Sequence, residues 1–238
     1  MSNDFNEIEL KGKSLMDKLD IIEQIEESEC IMEQDIKKLK LLSDDSDEEV
    51  RARVAELLVF SDSDIAEKIL IKLLEGSDEL VRVNACDSLC NSTSLEILNM
   101  LKSEVLKDRS SLVRGYATLS VADIAIKLNC NIEELSEFFE YALKKEKVNW
   151  VKFNFYKVLY MLGNKSYLHM LIKELNNRQY RNRCAVVNIL SELLASDTVV
   201  EIKSSVVERY KIEKSIAVKS AIEKVVEYVD EEYKCDEY

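Results

Sequence analysis

The chain has 238 residues, of which none is proline and four are glycine; 47% are hydrophobic and 33% charged. Such scarcity of the two residues that shape tight turns excludes an all-β or α/β fold, and the hydrophobic share, enough to fill a core, excludes a disordered chain. The formal net charge of -13 argues against general affinity for nucleic acid, which rests on neutralising phosphates.

That charge is unevenly spread: residues 1–50 carry -10, 51–100 carry -4, 101–150 balance, 151–200 carry +4 and 201–238 carry -3. The N-terminal residues are polar and acidic, without the basic and apolar regions of a secretory signal. No run of about 18 apolar residues follows that would span a bilayer. These features predict a cytoplasmic protein with no membrane association. Residues 1–30 are expected to form a capping helical segment, with Ile8, Leu15, Leu19, Ile22 and Ile25 on its apolar side and a break at Gly12.

From residue 31 to 229 the sequence repeats itself, a pattern to be sought before any other. Residues 47–58 read DEEVRARVAELL and residues 78–89 read DELVRVNACDSL. Residues 108–119 read DRSSLVRGYATL, with two extra residues between the acid and the Val-Arg pair. Weaker copies begin at Trp150, Tyr180 and Ala217. Aligning the basic residue gives Arg51, Arg82, Arg114, Lys152, Arg181 and Lys219, at intervals of 31, 32, 38, 29 and 38 residues.

Each interval holds two amphipathic helices. Between residues 62 and 91 the first places Ile65, Ile69, Leu70, Leu73 and Leu74 on one face, and Gly76 offers a C-cap. The second places Leu80, Val81, Ala85 and Leu89 on one stripe. Asp47 and Asp78 are expected to cap the second helix. Each also lies four residues before its Arg, close enough to pair with it, and the Arg can reach the capping acid of the next repeat. Helices this short are marginal alone. Stacking of successive pairs predicts an all-α fold, an α-solenoid of about six helix pairs, with an acidic, frayed tail over 230–238.

This phrase resembles the HEAT-repeat family, in particular its short bacterial form similar to the repeats associated with phycobilin lyases. The resemblance covers residues 31–229. It implies a stack of helix pairs and an interaction surface. Among HEAT-like enzymes it also admits a bilin lyase or a DNA glycosylase, for which neither a bilin-specifying feature nor a basic surface is evident.

Motifs for chemistry are missing. Four scattered glycines make no phosphate loop, and HExxH, CxxC and GxSxG do not occur. Six cysteines without paired spacing predict neither a disulfide framework nor a metal site; Cys86 and Cys90 read as small core residues. His169 reads as a surface residue of a helix. Glu133, Glu134 and Glu137 open a helix, where acids favour the macrodipole. The acidic run 43–49 lacks the glycine and final Glu of a calcium loop. The expectation is a non-enzyme without catalytic residues, metal or cofactor.

Residues 138–183 stand out, holding ten of the seventeen aromatic residues, and residues 141–183 carry net +8. On the helix from Val148, a core stripe of Val148, Val151, Phe155, Leu159 and Leu162 leaves Trp150, Phe153, Asn154, Lys157 and Tyr160 on another face. With Arg181 and Arg183 these form one candidate partner site, since Trp, Tyr and Arg are enriched at binding hot spots. The competing reading is that the aromatics fill a wider gap between repeats. A second candidate is the ladder three residues beyond each aligned Val or its equivalent: Arg53, Asn84, Tyr116, Asn154 and Arg183. The function expected is binding of another protein, a basic one, by a monomer or weak dimer; an inhibitor of the immunity or antitoxin kind is one version. Nucleic-acid binding through 141–183 is the alternative.

Overall fold

The computed structural model describes residues 10, 12–28, 30–61 and 63–233. The expected parts played by Ile8 and Cys235, and the tail from 234 onward, lie outside them. The chain divides into two compact units, Met1–Cys130 and Asn131–Tyr238. The boundary falls within the predicted array. Among the described residues all regular structure is helical.

The first unit opens with α1 (Leu15–Glu26), which starts beyond Gly12. Three helix pairs follow: α2 (Glu33–Leu42) with α3 (Glu48–Leu57), α4 (Asp64–Leu74) with α5 (Glu79–Ser88), and α6 (Leu95–Lys107) with α7 (Ser111–Lys127). Short 3-10 turns, Leu58–Phe60 and Leu89–Asn91, extend α3 and α5. The second unit holds three further pairs: α8 (Ile132–Lys145) with α9 (Asn149–Met161), α10 (Ser166–Glu174) with α11 (Tyr180–Glu192), and α12 (Val199–Ile212) with α13 (Ile216–Glu232). In the first unit α1, α3, α5 and α7 pack in succession, and in the second α9, α11 and α13 do so. Each unit is thus a stack of helix pairs with the second helices in one layer, the α-solenoid arrangement. The last helix runs through Glu232, so the tail expected from residue 230 begins later.

Local sequence explains the ends. Ser14 and Asp17 form a reciprocal capping box at α1. Asp47, Ser63, Ser94, Ser110 and Asn131 each accept a backbone N–H of the helix they open. The core is filled by one apolar stripe per helix, for example Val81, Ala85 and Leu89 on α5. Ile65 and Leu80, placed by periodicity on that core face, are exposed instead: Ala66 and Val81 beside them in the same turns are buried, so the core stripe passes one residue further round each helix. Val148, also placed on a core stripe, is exposed as the N-cap residue that precedes α9.

The repeated phrase has a sharper register than its letters suggest. The key acid lies two residues before the N-cap, not on it. Asp45, Asp108, Glu146 and Glu213 each accept the backbone N–H of the N-cap residue two positions on, at 3.0, 2.6, 2.8 and 2.7 Å. Asp108 therefore aligns with Asp45, and the apparent two-residue insertion in the third copy disappears. Six residues after each of these positions comes the basic residue: Arg51, Arg114, Lys152 and Lys219. The same spacing gives Arg82 after Gly76 and Arg183 after Asn177. Arg183, not Arg181, is the aligned basic residue of the fifth pair. By the same count α1 carries Lys18, so this helix has the register of a second helix.

The basic side chain does two things. It donates to the turn carbonyls five and six residues back: Arg82 to Gly76 (3.2 Å) and Ser77 (2.7 Å), Arg114 to Asp108 (2.9 Å), Arg183 to Asn177 (2.8 Å) and Arg178 (3.1 Å), and Arg51 to Asp45. It also pairs with the turn acid one repeat ahead: Lys18 with Asp45 (2.6 Å), Arg82 with Asp108 (2.8 Å) and Arg183 with Glu213 (2.7 Å). Arg51 instead meets the N-cap Asp78 at 2.7 Å, because the turn position there is Gly76, which has no carboxylate. Asp78 consequently makes no side-chain cap bond. The pairings expected within a helix, Asp47 with Arg51 and Asp78 with Arg82, give way to these longer-range ones.

Gly76 is not in the left-handed region; a Cβ there would come within 3.0 Å of the Leu73 carbonyl oxygen. Gly163 does adopt φ 102° at the end of α9, with open space where a Cβ would sit. Gly163→Ala is therefore expected to cost about 1–2 kcal/mol from backbone strain alone, read as a lower thermal midpoint with native circular dichroism retained.

Candidate functional site: a groove on the second-helix layer

Three of the predicted ladder residues, Arg53, Asn84 and Tyr116, come together. They line a groove of about 500 Å³ on the second-helix layer of the first unit, with contributions from α3, α5 and α7. The ladder works because Val50, Val81 and Val113 are buried in register. Positions three beyond them lie almost one helical turn on, displaced to the open edge of the same face.

The groove's floor is fastened by side chains that hook the preceding helix. Asn84 Nδ2 donates to the Ala52 carbonyl at 3.0 Å, and Ser88 Oγ donates to the Ala55 carbonyl at 2.7 Å. Its apolar content comes from Val59, Leu80 and the Tyr116 ring; Leu80 is 58% exposed. Its charge is acidic, from Glu49, Glu56 and Asp87. The cation there, Arg53, is already engaged by Glu56 at 2.6 Å and Glu26 at 2.7 Å. Burial, then the nearby carboxylates of Asp123 and Glu56, push the Asp87 carboxyl above its ordinary value. Negative potential is therefore concentrated around an exposed leucine. Sequence reasoning missed Leu80 by assigning it to the core. The signal that finds it is its position immediately before the aligned Val, on the helix edge away from the neighbouring pair.

The other predicted residues are not brought together. Phe153 and Asn154, expected on a free face, are 1% and 3% exposed. The helix α9 is wrapped on most sides, so its apolar stripe is broader than periodicity indicates. Asn154 Nδ2 is buried without a hydrogen-bond partner. Arg183 is 8% exposed and committed to Glu213 and its own turn, so it is structural, not a contact residue. Lys157 is partly buried and pairs with Glu192, and Trp150 and Tyr160 are partly buried. Arg181 is exposed and lies 5.9 Å from the centroid of the exposed Tyr180 ring.

The aromatic stretch is mainly filling. Phe139, Phe153 and Phe155 are fully buried. The contacts run from Phe138 to Phe139 (5.2 Å between centroids), Phe139 to Phe155 (6.0 Å), Phe153 to Tyr156 (6.5 Å) and Tyr156 to Tyr167 (5.8 Å). Such geometry suits aromatic packing.

The second-helix layer of the second unit has a groove of its own, about 610 Å³ between α11 and α13. Its lining is mostly small, Cys184, Ser191, Ala217 and Ser220 among it, and its charged side chain is Lys224.

His169 is exposed and its Nδ1 lies 2.9 Å from Glu201 Oε1. Burial pushes the Cys86 thiol far above its usual value. Cys90 is only partly buried, so just one of the two is a full core residue. Among the described residues no cluster of His, Cys, Asp or Glu could hold a metal ion, and no helix is long and apolar enough to cross a membrane.

These observations define a helical-repeat protein with an open groove on one layer. The family model for HEAT repeats matches residues 37–122, which run from α2 into α7 and include the groove. Residues 37–122 are thus similar to HEAT repeats, a likeness that points to a protein-interaction repeat scaffold. No curated protein matches the chain.

Proposed function

We propose that the chain is a non-enzymatic binding module whose partner is another protein, and that the groove lined by Arg53, Leu80, Asn84 and Tyr116 receives a basic segment of it. One observation carries the reading: an exposed leucine and a tyrosine ring lie among Glu49, Glu56 and Asp87, and the local arginine is already paired. An apolar anchor within a rim of one sign suits a partner with apolar and basic side chains, and the field of the rim would speed its encounter at low salt. Neutralisation of a basic toxin domain, in the manner of an immunity or antitoxin protein, is one role such a groove fits. Nucleic acid is less well served, because eight of the ten aromatic rings of residues 138–183 are buried or partly buried, leaving Tyr141 and Tyr180 exposed to stack bases.

Affinity capture from the native cell, with nuclease treatment, tests the reading. A basic protein is expected to be retained by the wild-type chain. Capture by Leu80→Lys should fall at least tenfold, the loss of roughly 1.4 kcal/mol or more that a central contact gives, with an unchanged thermal midpoint. Retention of nucleic acid alone, with a steep salt dependence, would overturn it.

A further inference from the structure

A second surface lies in the other unit and is independent of that groove. Between α12 and α13 runs an open channel of about 570 Å³. Its floor is apolar: Val207 and Tyr210 from α12, Ile222 and Val226 from α13. Ile222 is buried, and Tyr210 and Val226 are only partly covered where they pack against the core of the unit. Within this unit α11 stacks on α9 and α13 on α11, whereas the channel between α12 and α13 is open. No described helix covers it here.

The rim has a pattern. Glu223, Glu227 and Glu231 follow one another at i, i+4 and i+8 along α13, parallel to Ile222 and Val226, so an acidic line borders an apolar line. Like charges at this spacing destabilise a helix by a few tenths of a kcal/mol per pair. Asp230 adds a fourth carboxylate, which Lys203 meets. Glu223 accepts the Tyr210 hydroxyl at 2.5 Å, and Lys219 lies 4.9 Å from the centroid of the Tyr210 ring. Counting these two lysines, the rim stays acidic.

We propose that this channel docks a basic amphipathic helix of a partner protein. A channel between two antiparallel helices is filled by a third helix laid along it, as ridges fill grooves. Lysines or arginines spaced i, i+4 on one flank of that helix would match Glu223, Glu227 and Glu231, and its apolar edge would cover Val207 and Val226. The sequence 234–238, KCDEY, has two acids against one lysine and the wrong sign for the site. A second copy docked through the same channel would bring its own acidic line against this one.

The test titrates the full chain with fluorescein-labelled peptides as long as α13. One has lysine and leucine on adjoining helical stripes; a second has the same composition scrambled; a third has glutamate in place of lysine. The striped basic peptide is expected to bind, the scrambled and acidic ones at least tenfold more weakly. The double variant Glu227→Lys, Glu231→Lys should weaken the striped peptide at least tenfold while its circular dichroism and thermal midpoint stay native. Leu80→Lys should leave this binding unchanged, which separates the channel from the groove of the first unit. Equal binding by the scrambled peptide, or by the double variant, would overturn the proposal. So would a dimer, seen by sedimentation, that Val226→Glu dissolves.

Discussion

Arg82→Ala is expected to lower the stability of the first unit by about 3–5 kcal/mol, the cost of breaking a buried ion pair by removing one partner. The side chains of Arg82 and Asp108 are almost wholly shielded from solvent and meet through two bonds, Nε to Oδ2 at 2.8 Å and Nη2 to Oδ1 at 3.2 Å. Removing the guanidinium also takes a donor from the Gly76 and Ser77 carbonyls, the second of which keeps its bond from Arg109 at 2.6 Å. Burial alone would raise the Asp108 carboxyl; the Arg82 bond and the Ser110 N–H together hold it below its ordinary value. In the alanine variant the Ser110 N–H and a hydrogen bond with Glu104 remain to oppose that burial, without the guanidinium charge. Arg82→Lys retains charge but cannot span Asp108 and two carbonyls with one fork, so an intermediate loss is expected. Removing the exposed Lys37–Glu33 pair on α2 should change stability by less than about 0.5 kcal/mol. Urea denaturation of the three variants measures this order. A loss below 1 kcal/mol for Arg82→Ala would mean that the ladder does not hold the stack together.

The ladder also shows how far the letters of the chain reach. Composition and repeated Val-Arg pairs suffice for the helix pairs, and Arg51 and Arg82 are seen to reach forward to the next repeat. The acceptor was harder to locate. Asp47 and Asp78 look alike in sequence, yet Asp47 caps its helix and Asp78 serves Arg51, because the residue two before it is Gly76 and not an acid. A pairing across 26 or 27 residues is invisible to local spacing. The fifth repeat misleads for a related reason. Its aligned Val is Asn182, so the basic residue fixed by apolar matching falls on Arg181 instead of Arg183.

The candidate site was partly legible. Arg53, Asn84 and Tyr116 share a groove because three successive repeats have nearly equal length, so a position counted from the core Val recurs on one edge. The same count fails at Asn154, which is buried on the broader packed face of α9. Leu80 illustrates the opposite error. A leucine beside a core valine looks internal, but one residue is about 100° round the helix, enough to carry Leu80 to the open edge while Val81 is buried. Whether an apolar side chain is core or anchor depends on where the neighbouring helix lies, which hydropathy does not encode.

Glu213→Gln is expected to have an effect of the same size in the second unit, with a pH signature that a packing defect would not give. The Glu213 side chain is 0% exposed. It accepts Arg183 Nε and Nη2, both at 2.7 Å, Arg209 Nε at 2.8 Å, and the backbone N–H groups of Lys214 (2.8 Å) and Ser215 (2.7 Å). The Arg183 bond above all, against the opposing effect of burial, holds its carboxyl far below the ordinary glutamate range. A carboxyl depressed in the folded state resists protonation there more than in the unfolded chain. Its stabilisation is complete above the unfolded value of about 4.3 and is lost as pH falls from there towards the folded value. Gln keeps the shape but leaves two shielded guanidinium groups without their counter-charge, a loss of about 3–5 kcal/mol at neutral pH. Asp87 and Glu104 in the first unit, whose carboxyls are raised chiefly by burial, act with the opposite sign, since the folded state binds their protons more readily. The informative quantity is therefore the difference between wild type and Glu213→Gln, followed by urea denaturation from pH 7 down to pH 3. The gap should be widest at neutral pH and narrow steadily below about pH 4.3. A gap that stays constant with pH would assign Glu213 a role in packing without charge.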